Sequence, residues 1–131
     1  MISISMAKGD YIPLSLTLKD VDDNNIILSE TQDLILTIKK DYKANTYLIQ
    51  KIYSKGDIVY NSESETYDFA IEYKDTMSLN YGSYVGDLKL INNIQVDENT
   101  VDVRPNTLDL VDFTVSEEAT NTSTKYEDLY D

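Results

Sequence analysis

The loop at residues 20–25 has the side chains whose types and spacing come nearest to a ligand set. Asp20, Asp22 and Asn24 alternate along it, as the first ligands of a calcium loop do. The sixth position of that motif, however, is Asn25 instead of glycine, the twelfth is Thr31 instead of glutamate, and the flanks have strand patterns. Asp and Asn also tolerate left-handed backbone and bond their own backbone in turns. We therefore expect a hairpin loop that binds no metal.

Catalysis that depends on histidine or cysteine is excluded, because the chain contains neither. Cysteine nucleophiles, Cys/His zinc sites, disulfides and His-based triads all need them. Two carboxylates could still act as general acid and base, and Asp75 and Asp87 are candidates, but no spacing selects them from the 24 acidic residues. The four glycines are scattered and form no phosphate loop. We expect no enzymatic activity and no cofactor.

The aromatic side chains offer a binding alternative. Eleven tyrosines stand against two phenylalanines and no tryptophan, and tyrosine rings could line a sugar-binding groove. Their alternation with polar residues is equally typical of packing on a sheet. We favour packing.

Net charge narrows the classes of partner. The chain has 11 basic and 24 acidic side chains, a net charge of −13, and Arg104 is its only arginine. Nucleic-acid binding needs a basic footprint, and anionic membranes repel such a surface, so we expect neither partner. No apolar run approaches the ~20 residues of a membrane span, and the first ten residues lack the features of a secretory signal. We expect the protein to stay in the cell that makes it unless lysis or assembly releases it.

Period-two alternation predicts an all-β protein. Seven or eight short strands with turns every eight to twelve residues indicate a single β-sandwich over residues 1–115. Pro13 predicts that its strand lies at an edge or starts there, because proline has no N–H for the ladder. Bulk on both faces of residues 47–53 predicts a central strand or one at an interface. The predicted core comprises Leu14, Leu16, Leu36, Ile38, Phe69, Ile71, Leu88 and Leu90.

A tight corner organises the middle of the chain, between a strand at residues 67–73 and one at 84–90 that together form a central hairpin. Asp75 or Thr76 is expected to cap a single helical turn, and Leu79 to close the end of the core. Gly82 is expected to have a positive φ or to lie where no Cβ fits. We also expect the hydroxyl group of Tyr84 to bond a backbone group within residues 75–81.

Two later segments depart from simple alternation. Residues 92–105 form a hairpin-like excursion with scattered valines and isoleucine, and Pro105 is expected to end it. The parity of apolar residues then switches between Leu110 and Val111, which indicates a bulge or a change of partner strand.

The last segment, residues 116–131, is an acidic tail. It has five acidic residues and one lysine, a net charge of −4, and too little apolar surface to fold alone. Leu129 and Tyr130 follow Tyr126 by three and four residues, so one side of a helical turn could carry all three. Our hypothesis is that they dock on a neighbouring subunit whose basic rim meets the acids. The alternative is a solvated end that touches nothing.

The stretch from Leu36 to Leu90 resembles small Ig-like domains of phages that infect Gram-positive bacteria. These domains occur at the N-termini of baseplate upper proteins and in short tail or fibre-associated proteins. Tyr84 corresponds to the tyrosine of an Ig-type corner. The motifs that carry the resemblance are LTIKK at 36–40, LIQK at 48–51, YDFAI at 67–71, Asp75-Thr76, LNYGSY at 79–84 and DLKL at 87–90.

The resemblance implies a non-enzymatic structural subunit of a virion or phage-tail-like particle, in contact with other particle proteins and present in many symmetric copies. Gly86 stands where such domains often have an aromatic residue, and residues 92–105 and the tail have no counterpart. Members usually carry further domains, so a chain that ends here is expected to be a baseplate or tail adaptor or connector. Two alternatives remain open: a capsid decoration protein, and a carbohydrate-binding module of a host-facing fibre.

Overall fold

A computed structural model describes residues 1–117. These residues form eight strands in two sheets, with one 3-10 turn at Tyr53–Lys55 and one helical turn, α1, at Tyr73–Thr76. No helix among the described residues is long and apolar enough to cross a membrane. The strands are β1 Ile2–Ala7, β2 Ile12–Leu16, β3 Gln32–Lys39, β4 Ile49–Ile52, β5 Val59–Asn61, β6 Thr66–Ile71, β7 Gly82–Asp97 and β8 Thr100–Ser116.

The two sheets pack as an all-β sandwich, as the alternation predicted. The larger sheet has the order β1-β8-β7-β3-β4, and the smaller sheet has the order β2-β6-β5. Neighbouring strands are antiparallel except β1 and β8, which run parallel and bring the two ends of the described chain together. Pro13 lies in β2, an edge strand, as expected of a residue without an N–H.

Most of the predicted core is buried between the sheets. Six of the eight residues are buried, but Leu14 and Leu16 are only half-buried because β2 is the edge of the smaller sheet. The chain supplies further buried side chains from β1, from β8 and from the loops. The most enclosed of the whole core are Leu34, Leu36, Ile38, Ile58, Tyr67, Ile71, Val111, Phe113 and Val115.

The expected central hairpin is wrong. β6 belongs to the smaller sheet and β7 to the larger one, so the corner carries the chain from one sheet to the other. The first strand also ends earlier than predicted, at Ile71, and Tyr73 begins α1 with an exposed ring. Two consecutive strands with one apolar face each can pair in one sheet, or they can lie in opposite sheets with their apolar faces packed together. Alternation alone does not distinguish these two arrangements.

β4 is not central, because it forms the outer edge of the larger sheet. Only residues 49–52 pair with β3, while Tyr47 and Leu48 precede the strand and are exposed. The bulk on both faces of this segment therefore reflects a short edge strand joined to an exposed loop.

Pro105 does not end the excursion. β7 and β8 form one continuous hairpin in which Pro105 stands opposite Ile91. β1 pairs only with the part of β8 from Val111 onward, so the outer edge of β8 has no partner at Pro105, and a proline fits there. The parity switch at Val111 coincides with the new partner β1, which pairs with β8 from that residue onward, and the bulge lies at Leu108, two residues before the expected place.

Candidate functional site

The corner between the two sheets, residues 72–84, is held together by hydrogen bonds and an ion pair. The hydroxyl group of Tyr84 donates to the backbone oxygen of Asn80 at 2.6 Å, within the predicted segment, and Tyr84 is only 8% exposed. Gly82 has φ 138°, and an added Cβ would meet no atom within 4 Å. Glycine is therefore favoured here by the backbone conformation and not by a lack of space for a side chain. Leu79 is buried in the core below the corner, as expected.

Asp75 does not cap the helical turn as its first residue. Glu72 holds that position, and Asp75, three residues later, accepts the backbone N–H of Glu72 through Oδ2 at 2.8 Å. The same oxygen lies 2.8 Å from Nζ of Lys51 in β4. The side chains of Lys51 and Asp75 are 11% and 15% exposed, so this ion pair is largely shielded from water. It ties the edge of the larger sheet to the turn that follows the smaller one.

Thr76 is fully buried and connects the corner to the other end of the chain. Its Oγ1 accepts the backbone N–H of Gly9 at 2.8 Å, and Gly9 lies in the turn between β1 and β2. Thr76 was predicted as a cap, and its polarity instead satisfies a buried donor 67 residues away. Only the fold shows this partner, because no local pattern relates the two residues.

Asp75 and Asp87, the two candidate catalytic carboxylates, lie in different environments. Asp75 is paired with Lys51, whereas Asp87 lies on the outer face of β7 in a shallow groove. That groove is lined mainly by aliphatic and polar side chains of β3, β4 and β7, with Tyr42 as its one aromatic ring. Gly86 borders it, and an added Cβ there would lie 2.0 Å from the backbone oxygen of Thr37. Only glycine fits at this position, which is where the resembling domains often have an aromatic residue.

The loop at residues 20–25 is a hairpin loop, closed by an antiparallel bridge between Lys19 and Asn25. Oδ1 of Asp20 accepts the backbone N–H groups of Asp22 and Asn24, both at 2.9 Å. The oxygen that would be the first calcium ligand is thus used within the loop. No group of three or more metal-ligating side chains occurs within residues 1–117.

Tyr67 is a buried tyrosine whose hydroxyl group bonds two backbone groups of the segment before β3. Its hydroxyl group accepts the N–H of Leu28 at 2.9 Å and donates to the backbone oxygen of Ile26 at 3.1 Å. Burial raises the pKa of Tyr67 above its ordinary value, against the lowering effect of the Leu28 N–H. The ring thereby holds the segment that leads into β3 against the smaller sheet.

The hairpin of β7 and β8 continues past the sandwich as an arm, which we define as residues 93–104. β3 pairs with β7 only as far as Asn92, and β1 reaches β8 only from Val111, so both edges of the arm lack a neighbouring strand within residues 1–117. The arm has four large aliphatic side chains that are 40–62% exposed. By register, the faces alternate, and both faces carry aliphatic groups. These residues are Ile94, Val96, Val101 and Val103.

Tyr126, Leu129 and Tyr130, the candidate docking residues of the tail, lie outside the described residues. β8 ends at Ser116, beside Ala7 at the end of β1, so the tail begins at the same end of the sandwich as the corner. The exposed arm was not predicted as a surface, although its alternating valines were visible in the sequence.

No protein-family model matches this chain, and no curated protein matches it either.

Proposed function

We propose that this chain is a non-enzymatic structural subunit of a phage or phage-tail-like particle, acting as a baseplate or tail adaptor or connector. The observation that carries the proposal is the corner. The motif by which the sequence resembles the phage Ig-like domains, from Asp75 to Tyr84, forms the crossover between the two sheets. The Tyr84 hydroxyl bonds back to Asn80 within that crossover, as the resemblance implies for an Ig-type corner.

The surface of the domain supports a role in protein contacts more than one in catalysis or sugar binding. Catalytic clefts usually bring together titratable groups with perturbed pKa values, and sugar sites stack rings on one concave face. The shallow groove around Asp87 offers one ring, that of Tyr42. The arm, by contrast, presents four aliphatic side chains to solvent, as a surface covered in an assembly would.

The experiment that tests this proposal starts from particles released by the bacterium that encodes the chain. Particles purified on a density gradient should contain the protein at a fixed number of copies per particle, measured by quantitative mass spectrometry. Immunogold labelling on intact particles should place it on the tail or baseplate. Labelling of the head would favour the decoration protein instead. Recovery of the protein only in the soluble fraction of the lysate would overturn the proposal.

A glycan array tests the carbohydrate-binding alternative. A carbohydrate-binding module would retain one class of glycan, and substitution of Tyr42 by alanine would abolish that retention. We expect no retention by either protein.

A further inference from the structure

The two ends of the sandwich differ in charge. β7 runs from one end to the other over 16 residues, so the ends are separated by about 50 Å at ~3.3 Å per residue. The arm and the loops at its end of the molecule have 9 carboxylates against 3 basic side chains, a net charge of −6. The acidic members are Asp20, Asp22, Asp23, Glu30, Glu63, Glu65, Asp97, Glu98 and Asp102, and the basic ones are Lys19, Lys55 and Arg104.

The opposite end, which we call the lysine end, consists of the β1–β2 turn, the β3–β4 loop and the corner. Within the described residues these three segments have 4 lysines against 4 carboxylates, a net charge of zero, although the protein as a whole is strongly acidic. The lysines are Lys8, Lys40, Lys43 and Lys74, and the carboxylates are Asp10, Asp41, Glu72 and Asp75.

The lysine end also presents apolar groups. Leu48 and Tyr81 are 41% and 54% exposed and line one shallow depression together with Lys40. Nζ of Lys8 lies 5.3 Å from the centre of the Tyr81 ring, which holds a positive charge beside the apolar surface. The exposed rings of Tyr42 and Tyr47 lie in the neighbouring β3–β4 loop.

We propose that copies of this chain associate head to tail, with the arm of one copy docked on the lysine end of the next. The arm brings exposed aliphatic groups and the carboxylates of Asp97 and Glu98, and the lysine end brings apolar side chains within a lysine rim. Such surfaces are complementary in both apolar character and charge. Because each copy has one of each, the contact is heterologous and generates rings or filaments.

The structure of the arm favours insertion over solvent exposure. A two-stranded hairpin without a packing layer is only marginally stable in water, and both faces of the arm carry aliphatic groups. Docking on a neighbour covers one or both faces and shields the free strand edges. The arms themselves are an unfavourable pair for each other, because Asp97 and Glu98 at the tip would face their own like charges.

This inference rests on the proposed function, since it names the partner of a subunit present in many copies. The test uses the purified full chain and two variants with exposed substitutions. The arm variant is Val101→Lys with Val103→Lys, and the lysine-end variant is Lys40→Glu with Lys43→Glu. The control is Val59→Lys, an equally exposed valine of β5 outside both surfaces. Circular dichroism and melting verify that all four proteins fold alike.

Sedimentation velocity up to ~1 mM subunit, where a contact of Kd ~1 mM is half-formed, measures association. The parent and the control should form species beyond the dimer, and these should dissociate as salt rises. Each double variant alone should be monomeric, with a Kd raised at least about tenfold by like-charge contact. An equimolar mixture of the two variants should give a 1:1 dimer and nothing larger, because one intact arm and one intact lysine end remain.

Two results would overturn the inference. If the lysine-end variant alone still dimerises, the contact is isologous through the arms. If the parent and the mixture both stay monomeric, the lysine end is covered by something else, such as the acidic tail or a different protein. Failure of the proposed function gives a different result from failure of this inference. In that case the protein is absent from purified particles, whereas it still self-associates in solution.

Discussion

The ion pair of Lys51 and Asp75 should be one of the largest single contributors to the stability of the corner. Lys51→Met removes the ammonium group and keeps most of the aliphatic stem, so the carboxylate of Asp75 is left with the Glu72 N–H as its partner. Breaking a fully buried pair costs about 3–5 kcal/mol. Because both side chains keep some contact with water, we expect Lys51→Met to lower the free energy of unfolding by about 2–4 kcal/mol.

Urea unfolding followed by circular dichroism measures this loss. With an m-value of about 1–3 kcal/mol/M, the midpoint should fall by about 0.7–4 M at an unchanged m-value. Lys74→Met is the matched control, because Nζ of Lys74 lies 3.6 Å from Glu72 in a pair that is 78% and 45% exposed. Such a pair contributes at most about 1 kcal/mol.

A double-mutant cycle isolates the interaction itself. The combined variant Lys51→Met with Asp75→Asn removes both charges, and the asparagine oxygen can still accept the Glu72 N–H. Its loss of stability should therefore be smaller than the sum of the two single losses by at least ~1 kcal/mol. A loss from Lys51→Met no larger than that from Lys74→Met, or two single losses that simply add, would show that the ion pair does not stabilise the corner.

Four further results are expected. Gly86→Ala should lower stability by at least about 1–3 kcal/mol, because its Cβ would overlap the Thr37 oxygen; an unchanged urea midpoint would contradict this. Tyr84→Phe should lose ~1 kcal/mol, the value of one buried hydrogen bond, in the same assay. Tyr67 has a raised pKa, so its contribution is complete below the ordinary value of 10.0 and is lost as pH rises further, and Tyr67→Phe should flatten the decline in melting temperature above pH 10. Deletion of residues 117–131 should leave melting unchanged but prevent incorporation into particles if the tail docks on a neighbour, whereas normal incorporation would exclude that role.

Local pattern was enough to predict most of the strands and, in the corner, the conformation of Gly82 and the hydrogen bond of Tyr84. Gly82 and Tyr84 follow from rules that act within a few residues: a positive φ that only glycine adopts easily, and a hydroxyl group four residues from its acceptor. The buried faces of β3 and β7 follow from alternation in the same way. These features needed no knowledge of which strands pair.

Contacts between distant segments could not be predicted. Lys51 is one of 11 basic residues, and nothing near it in the sequence indicates Asp75 as its partner. The bond from Gly9 to Thr76 spans 67 residues. Likewise, the assignment of β6 and β7 to different sheets depends on which face each presents to the other, and period-two alternation is identical in both arrangements.

The arm shows why a correct pattern can still give the wrong environment. Its aliphatic residues alternate with polar ones as those of a strand with a buried face do, but by register they lie on both faces of the hairpin. They are exposed because the hairpin extends past the ends of β3 and β1, its neighbours in the larger sheet, and the strands of the smaller sheet leave its aliphatic side chains 40–62% exposed. Strand length relative to its neighbours therefore decides whether an alternating segment becomes core or surface. In this protein that difference in length creates the apolar surface on which the proposed head-to-tail contact depends.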